Sequence, residues 1–191
     1  MSAPFADRIR AGAPVENIKR DAEGVDVTAA GRTDRYDEVV IAAHSDQALA
    51  MLADPTDDER EILGAIPYVS NEAVLHTDTA LMPRRRAAWA SWNYHLLNVP
   101  KNRTTVTYWM NELQNIPGPT EYLVSLNVGE RVDPERVIAS FDYEHPVYTP
   151  EGVAAQDRHG EISAVNRTHY CGAYWRWGFH EDGVWSAVRV A

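Results

Sequence analysis

Alternating apolar and polar residues mark the first part of the chain. Residues 14–20 carry spaced apolar anchors, and residues 24–28 place Val25 and Val27 on one face. Because side chains alternate between the two faces of a strand, both segments are predicted to be half-buried strands. Residues 36–43 contain a continuous apolar run instead, which is typical of a strand covered on both faces. The chain is therefore predicted to begin with two half-buried strands and one fully buried strand.

Helical signals follow the third strand. Ser45 is predicted to cap a helix over residues 46–52, in which apolar residues recur at helical spacing. Residues 56–59 (TDDE) match a capping box, in which a threonine and a glutamate three residues later satisfy backbone N–H groups at a helix start. A second helix is therefore expected up to about Ile66, where Pro67 would end it.

Short strands are predicted in much of the remaining chain. They cover residues 72–77, 87–94, 104–110, 122–126, 138–143 and 167–172. Residues 144–166 are rich in glycine, proline, glutamine and histidine and are predicted to be loop with one helical turn. A final helix is expected from about Glu181. The pattern predicts an α+β or fragmentary α/β fold, with a mixed, largely antiparallel sheet of about six strands and helices on one face.

Composition narrows the classes of function. The 191 residues suffice for one ordinary domain or one and a half small ones, and the net charge of −10 argues against a nucleic-acid partner. The single cysteine, Cys171, excludes a disulfide within the chain, and the seven histidines lack metal-ligand spacing, so no metal is expected. Without an apolar run of about 18 residues or a signal peptide, neither a membrane span nor secretion is expected, and a cytoplasmic protein is predicted.

The terminal stretch GFHEDGVWSAVRVA, residues 178–191, invites two interpretations. The first turn of a helix has unpaired N–H groups and a partial positive charge, and Gly183 lacks the Cβ that would keep a ligand away from them. An electron-rich ligand could therefore bind at this helix start. In the alternative interpretation, Glu181 and Asp182 simply complement the dipole of an ordinary helix.

Aromatic residues in two strand-like runs also have two interpretations. One face would carry Trp92, Tyr94 and Trp109, which either fill the core or line the apolar wall of a substrate pocket. In the second case Asn93 and Asn111 would provide polar contacts.

Proton transfer and phosphate binding are two further kinds of chemistry for which the sequence can be searched. Tyr94, His145 and His180 are candidates for proton transfer, because their side chains can donate or accept a proton. The sequence contains neither a Gly-x-Gly-x-x-Gly motif nor a P-loop, so these 191 residues contain no phosphate-binding loop of a known type.

Several stretches taken together resemble the flavin-containing amine oxidoreductase superfamily. PVENIKRDAEGVDV followed by YDEVVIAAHSDQAL resembles its antiparallel meander returning to the nucleotide-binding sheet. More narrowly, other stretches resemble bacterial predicted NAD/FAD-binding proteins related to the N-terminal domain of plant cyclopropane fatty acid synthases. These stretches are NEAVLHTD, LMPRRRAAWASWNY, TYWMNELQ, FDYEHPVY and CGAYWRWGFHEDGVWSAVRVA. The resemblance covers nearly the whole chain.

The resemblance implies an FAD site with named contacts. The Val15 backbone would contact adenine, and Ala43 and His44 would lie near the pyrophosphate. The ribitol and the N1/O2 edge of the flavin would be approached by Gly172, Tyr174, Asp182, Gly183 and Val184. Tyr174 stands where the superfamily often has an acid. This implication favours the first interpretation of the terminal helix, whose start would stabilise negative charge on reduced flavin.

The resemblance also implies a division of the chain. Residues 1–43 and 167–191 would form a partial FAD-binding domain whose sheet lacks the Rossmann βαβ unit, and residues 44–166 a substrate domain. The chain would be the C-terminal part of a longer FAD-dependent oxidoreductase that transfers hydride between flavin and a small, largely apolar, lipid-like substrate. By itself it would bind FAD weakly or not at all. The alternative is a non-catalytic remnant or interaction domain that cannot bind FAD.

Overall fold

The computed structural model describes residues 2–98 and 103–191. Its strands are β1 (Val15–Arg20), β2 (Val25–Ala29), β3 (Arg32–Tyr36), β4 (Val39–Ile41), β5 (Tyr68–His76), β6 (Trp92–Tyr94), β7 (Val106–Trp109), β8 (Leu123–Leu126), β9 (Val137–Pro146) and β10 (Thr168–Tyr170). Its helices are α1 (Ser45–Met51), α2 (Asp57–Gly64), α3 (Met110–Leu113), α4 (Pro150–Asp157), α5 (His159–Ile162) and α6 (His180–Val190). The predicted combination of helices with antiparallel sheets is confirmed.

The chain divides into two compact units. Met1–Tyr68 and Pro146–Ala191 form the terminal unit, and Val69–His145 form the central unit. The boundaries therefore follow residues 68 and 145, whereas the sequence suggested residues 43 and 166. They differ because helices α1, α2, α4 and α5 bury apolar residues in the core of the terminal unit. That one unit binds FAD and the other substrate stays a prediction.

The two ends of the chain meet in the terminal unit. Strands β4 and β10 form a parallel pair in which His169 lies opposite Val40 and Tyr170 opposite Ile41. The Cys171 N–H extends the pair by donating to the Ile41 carbonyl at 3.1 Å. The prediction that these distant segments pack together is confirmed for β4 and β10. Strands β1, β2 and β3 form a separate antiparallel meander.

Strand β4 differs from its prediction. It has three residues, and β3 precedes it in a segment for which no separate strand was predicted. Ile41 is 3% exposed and packs in the core, but Val40, on the other face, is 53% exposed. The prediction of a strand buried on both faces is therefore wrong, because an apolar run shows that burial is favourable without showing which element covers each face.

The first two helices begin and end close to where the sequence places them. Helix α2 has the predicted capping box, with the Glu59 N–H donating to Thr56 Oγ1 at 3.1 Å and the Thr56 N–H to Glu59 Oε2 at 2.8 Å. The N-cap of α1 is His44, not Ser45 as predicted, and the Gln47 side chain accepts from the His44 N–H at 3.4 Å.

Helices α4 and α5 occupy a segment that was predicted to be loop with one helical turn. That prediction is wrong, although the sequence contains a start signal. Thr149 caps α4 by accepting from the Gly152 N–H at 3.0 Å, and Pro150 occupies the first helical turn, which tolerates proline. The amphipathic pattern of α4 is weak because the helix is short. Burial of Ala155 from α4 and Ile162 from α5 in the core stabilises both helices.

The central unit is built on one five-stranded sheet in the order β6-β7-β8-β5-β9. The prediction was about six strands with helices on one face. Strand β6 is confined to three residues because Arg86–Ala88 form a 3-10 turn in the segment predicted to be strand. Among the described residues of the central unit, α3 is the single α-helical turn, and the longer helices belong to the terminal unit.

A buried ion pair joins β1, α2 and β10 in the terminal unit. The Arg20 guanidinium donates to both carboxylate oxygens of Glu59, at 2.5 and 2.9 Å, and both side chains are 2% exposed. The Tyr170 hydroxyl donates to Glu59 at 2.6 Å, and Asp54 accepts from Arg20 at 3.1 Å. Burial would raise the pKa of Glu59, but the hydrogen bonds from Arg20 and Tyr170 outweigh it and lower that pKa.

A chain of polar side chains crosses the central sheet. The Asp78 N–H donates to Nδ1 of His76 at 3.1 Å, so the ring proton lies on Nε2 and points to Ser125 Oγ at 2.8 Å. Ser125 and Thr107 hydroxyls lie 2.7 Å apart, and Thr107 lies 2.7 Å from Nε2 of His95. If Ser125 donates to Thr107 and Thr107 donates to His95, then Nε2 of His95 accepts this hydrogen bond and the ring is neutral.

This polar chain predicts acid sensitivity. Burial lowers the pKa of His76, against the opposing effect of Asp78, and burial together with Arg131 lowers the pKa of His95. Burial also lowers the pKa of His159 in the terminal unit. Because the unfolded chain then binds more protons below about pH 6.5, stability is full above that pH and falls as the pH drops, by up to about 1.4 kcal/mol per pH unit for each histidine.

Urea unfolding at pH 7.5, 6.5, 5.5 and 5.0 measures this loss. We expect the free energy of unfolding to decrease through this series, and the decrease to be smaller in His95→Gln. His180→Gln, which changes an exposed residue, is the control and should follow the unmodified chain. A free energy of unfolding that stays constant or rises as the pH falls would contradict the assigned protonation states.

Candidate functional site

The turn after β10 requires glycine at residue 172. The Gly172 N–H donates to Ser186 Oγ at 2.9 Å, and this hydroxyl donates to the Gly183 carbonyl at 2.8 Å, which ties the turn to α6. A Cβ on Gly172 would lie 2.4 Å from the ring of Tyr174. Because carbon atoms cannot approach so closely, any other residue would displace the ring.

The start of α6 is capped from within the chain. Asp182 is 6% exposed, and its carboxylate accepts from the backbone N–H groups of Trp177 at 3.2 Å and Phe179 at 3.0 Å. The N–H groups of Asp182 and Gly183 donate to the Phe179 carbonyl, at 3.0 and 3.2 Å. The expectation that the Gly183 N–H is available to a ligand is therefore wrong.

Gly183 still leaves space above the first turn of α6. A Cβ at this position would meet only Ala173 Cβ, at 4.0 Å, which is an ordinary contact. Packing within the chain therefore does not require glycine here. Val184 next to it is 59% exposed and Val188 is 70% exposed, so this helix presents apolar side chains outward.

Tyr174, which stands where the superfamily often has an acid, has a buried side chain. The residue is 4% exposed and packs in the core of the terminal unit beside Trp175, with the ring centroids 5.0 Å apart. Burial raises the pKa of its hydroxyl. A cofactor above the turn could therefore contact the backbone of Tyr174 but not its ring.

Unpaired polar groups coincide with the segments predicted to approach FAD. His44 stacks on Tyr68 with ring centroids 4.6 Å apart, and half-buried Ala43 packs against the core beside it. Within residues 2–98 and 103–191, the buried side-chain N and O atoms without a hydrogen-bond partner are His44 Nδ1, Ser45 Oγ, Tyr174 O–H and Trp175 Nε1. Buried polar groups are normally paired, so the atoms of His44 and Ser45 are compatible with a polar ligand beside α1, whereas Tyr174 and Trp175 lie in the core.

Val15 borders a cavity of about 570 Å³ in the terminal unit. Val27 and Tyr36 add apolar surface to this cavity, and Arg8 and Arg10 add guanidinium groups. Val15 itself is 36% exposed. The position predicted to contact adenine therefore lies at a cavity that also contains Asp7 and Asp34, and Arg10 forms an ion pair with Asp34.

The aromatic residues of the central unit divide between the two faces of the sheet. Trp92 and Tyr94 lie on the same face and are 48% and 67% exposed, so core packing is wrong for them. Trp92 pairs with Tyr108, and their rings meet edge to face at 5.3 Å. Because Trp109 follows Tyr108 in the strand, it lies on the opposite face, and its predicted place beside Trp92 and Tyr94 is wrong.

The candidates for proton transfer are not brought together. Tyr94 lies on β6 and His145 on β9, at opposite edges of the five-stranded sheet, about 19 Å apart by strand spacing. His145 Nδ1 lies 3.1 Å from the side-chain amide of Asn71. His180 is the exposed first residue of α6 in the terminal unit. No pair of these residues within one unit is placed to share a proton.

Among residues 2–98 and 103–191, no group of three or more His, Cys, Asp or Glu side chains is arranged to hold a metal ion. No helix in this part of the chain has both the length and the apolar character required to cross a bilayer.

Comparison with solved structures defines the fold class. The chain resembles the CLA-producing fatty acid isomerase from P. acnes, with a TM-score of 0.62, 15% identity, and coverage of 93% of this chain and 46% of the other. It also resembles cyclohexylamine oxidase from Brevibacterium oxydans IH-35A, with a TM-score of 0.62, 14% identity, and coverage of 99% and 49%. For putrescine oxidase bound to putrescine the TM-score is 0.63, with 12% identity and coverage of 99% and 49%.

The family follows from the sequence itself. The model of the flavin containing amine oxidoreductase family matches residues 5–135, which is more than half of the chain, and the chain belongs to that family. The family implies a flavin cofactor and oxidoreductase chemistry. No curated protein matches the chain. The chain spans about half the length of the solved structures named above.

Proposed function

We propose that this chain forms the C-terminal part of an FAD-dependent oxidoreductase. The observation that carries the proposal is the terminal unit, in which the parallel pair β4–β10 leads through the Gly172 turn into α6. The segments predicted to approach FAD belong to one compact unit, and the buried His44 and Ser45 atoms without partners belong to it too, which supports the proposal. Bound FAD would supply the hydride chemistry.

The residues of the terminal unit would contribute to flavin binding mainly by leaving space for the ring system. Gly183 keeps the first turn of α6 free of a side chain, so a flat ring system could approach this part of the backbone closely, whereas the space beside Gly172 is filled by the Tyr174 ring. Asp182 holds the loop before α6 through two backbone N–H groups. The helix dipole would then stabilise negative charge on reduced flavin without a direct bond from Gly183.

A second function is favoured by one observation. Asp182 already accepts from the N–H groups of Trp177 and Phe179, and the Phe179 carbonyl accepts from Gly183. This closed arrangement suits a non-catalytic remnant or interaction domain that has no need of FAD. The sequence also lacks the glycine loop that would bind the pyrophosphate, and the chain has a net charge of −10. The proposal therefore includes weak or absent FAD binding by the 191 residues alone.

The substrate proposed is a small, largely apolar, lipid-like molecule. Trp92, Tyr94 and Tyr108 present aromatic surface on one face of the central sheet, and Val124 continues this face because it pairs with Tyr108. An apolar, aromatic surface favours an apolar ligand through burial of its hydrocarbon. The narrower resemblance to proteins related to plant cyclopropane fatty acid synthases supports this proposal. The location proposed for the enzyme is the cytoplasm.

Gly183→Leu tests the role of the terminal helix. In a protein that carries a dinucleotide-binding βαβ unit ahead of these residues, the leucine would fill the space above the first turn of α6. We expect FAD affinity to fall at least about tenfold, which corresponds to about 1.4 kcal/mol. Flavin fluorescence measures the affinity. Val188→Leu, at an exposed position further along the same helix, is the control. Equal affinity in both variants would remove α6 from the proposed site.

A further inference from the structure

Two tryptophans and a glutamate in the central unit surround a positive charge. The rings of Trp89 and Trp109 meet edge to face, with centroids 5.3 Å apart and planes at 90°. The guanidinium carbon of Arg86 lies 4.0 Å from the centroid of Trp89 and 4.5 Å from that of Trp109. Arg86 Nη2 also forms an ion pair with Glu121 Oε1 at 2.8 Å. The same cation therefore contacts two aromatic rings and a carboxylate.

The walls of this cluster are held by bonds that do not involve Arg86. The Trp109 Nε1–H donates to Glu121 Oε2 at 2.7 Å, which fixes the carboxylate against the ring and leaves Oε1 for the cation. The Trp89 Nε1–H donates to the Pro83 carbonyl at 2.8 Å. Without Arg86 both indoles would keep these partners, so the arrangement does not depend on the arginine that occupies it.

The Arg86 side chain is less constrained than the side chains around it. The Arg86 side chain is 55% exposed, whereas that of Glu121 is 22% exposed. A long side chain on a short 3-10 turn can leave such a position by rotation about its own bonds. Arg86 competes effectively because it is tethered three residues from Trp89, which gives it a high local concentration.

We propose that Trp89, Trp109 and Glu121 form a binding site for an organic cation, a substituted ammonium or guanidinium group, which Arg86 occupies as an internal ligand. Aromatic faces attract cations through the ring quadrupole, and quaternary ammonium groups are bound in this way. The carboxylate supplies the opposite charge, so a cation is favoured over a neutral molecule of the same shape. This site is independent of the proposed flavin chemistry and lies within the central unit.

Choline and its neutral isostere 3,3-dimethylbutan-1-ol test the proposal at constant ionic strength. Indole N–H signals in nitrogen–proton NMR spectra report the six tryptophans, and Trp89→Phe and Trp109→Phe assign the two that matter. In Arg86→Ala, we expect choline to shift both signals with a dissociation constant at least about tenfold lower than in the unmodified chain. The neutral isostere should shift neither signal in a saturable manner.

Two further variants separate the cation site from other effects. Arg85→Ala removes the same charge from an exposed neighbour and should respond to choline as the unmodified chain does. In the Arg86→Ala background, Glu121→Gln keeps the shape of the side chain and should weaken choline binding about tenfold or more. Arg86→Gln repeats the test if the alanine variant folds poorly. Absence of saturable shifts in both Arg86 variants, or equal shifts with the neutral isostere, would overturn the proposal.

Discussion

Glu59→Gln is expected to lower the free energy of unfolding by about 3–5 kcal/mol, because it leaves the buried Arg20 guanidinium without its main counter-charge. The substitution keeps the shape of the side chain, so the loss reports charge and hydrogen bonding instead of a cavity. Urea unfolding followed by circular dichroism measures it. Glu61→Gln is the matched control, because Glu61 lies on the same helix and forms an exposed ion pair with Arg158. Exposed pairs contribute little, so this variant should stay close to the unmodified chain.

A double variant separates the two parts of this effect. Replacing both partners, as in Arg20→Met with Glu59→Leu, removes the uncompensated charge and should restore much of the stability, since apolar pairs often replace buried ion pairs without loss. Tyr170 would keep its packing but lose its acceptor. If Glu59→Gln and Glu61→Gln cost the same, the ion pair would not be the element that joins β1, α2 and β10.

The two glycines of the candidate site are expected to respond to alanine in opposite directions. Gly172→Ala places a Cβ 2.4 Å from the ring of Tyr174, and moving this buried ring should cost about 1–3 kcal/mol. Gly183→Ala places its Cβ no closer than 4.0 Å to Ala173 and lies within a helix, where alanine is more stable than glycine by up to about 1 kcal/mol. Thermal unfolding of the two variants measures both shifts.

The outcome for Gly183 has a further consequence. If Gly183→Ala stabilises the chain, then glycine at this position is not explained by folding, and the space above α6 serves a ligand or a partner. If Gly172→Ala leaves the melting temperature unchanged, the Tyr174 ring would not be fixed beneath the turn. Destabilisation by Gly183→Ala would show instead that the glycine has a structural role within the helix.

Local rules predicted the parts of the fold that depend on neighbouring residues. The capping box of Thr56 and Glu59 was visible because both partners lie within one helical turn. The pairing of β4 with β10 was anticipated only through the resemblance to a known superfamily, since 129 residues separate the paired His169 and Val40. The second role of Glu59, as the partner of Arg20, was missed because no local spacing indicates a contact across 39 residues.

The candidate site shows the same limit. Trp109 was placed beside Trp92 and Tyr94, but the register pairs Trp92 with Tyr108, and a shift of one residue reverses the face. The register of β6 against β7 cannot be judged from alternation alone. Asp182 was assigned to the cofactor, whereas its carboxylate accepts from the N–H groups of the loop before α6. An acid in the first helical turn can serve either purpose, and only the structure distinguishes them.

Titration of FAD into the 191-residue chain, and into a protein that adds a dinucleotide-binding βαβ unit ahead of it, tests the central proposal most directly. The pyrophosphate carries two negative charges and is usually bound by the glycine-turn helix of that unit, which these residues do not contain. We expect flavin fluorescence to show weak or no binding by the chain alone, and the extended protein to purify yellow with bound FAD. Tight, stoichiometric binding by the 191 residues would contradict this division of the site, and a colourless extended protein that cannot be loaded with FAD would favour the non-catalytic alternative.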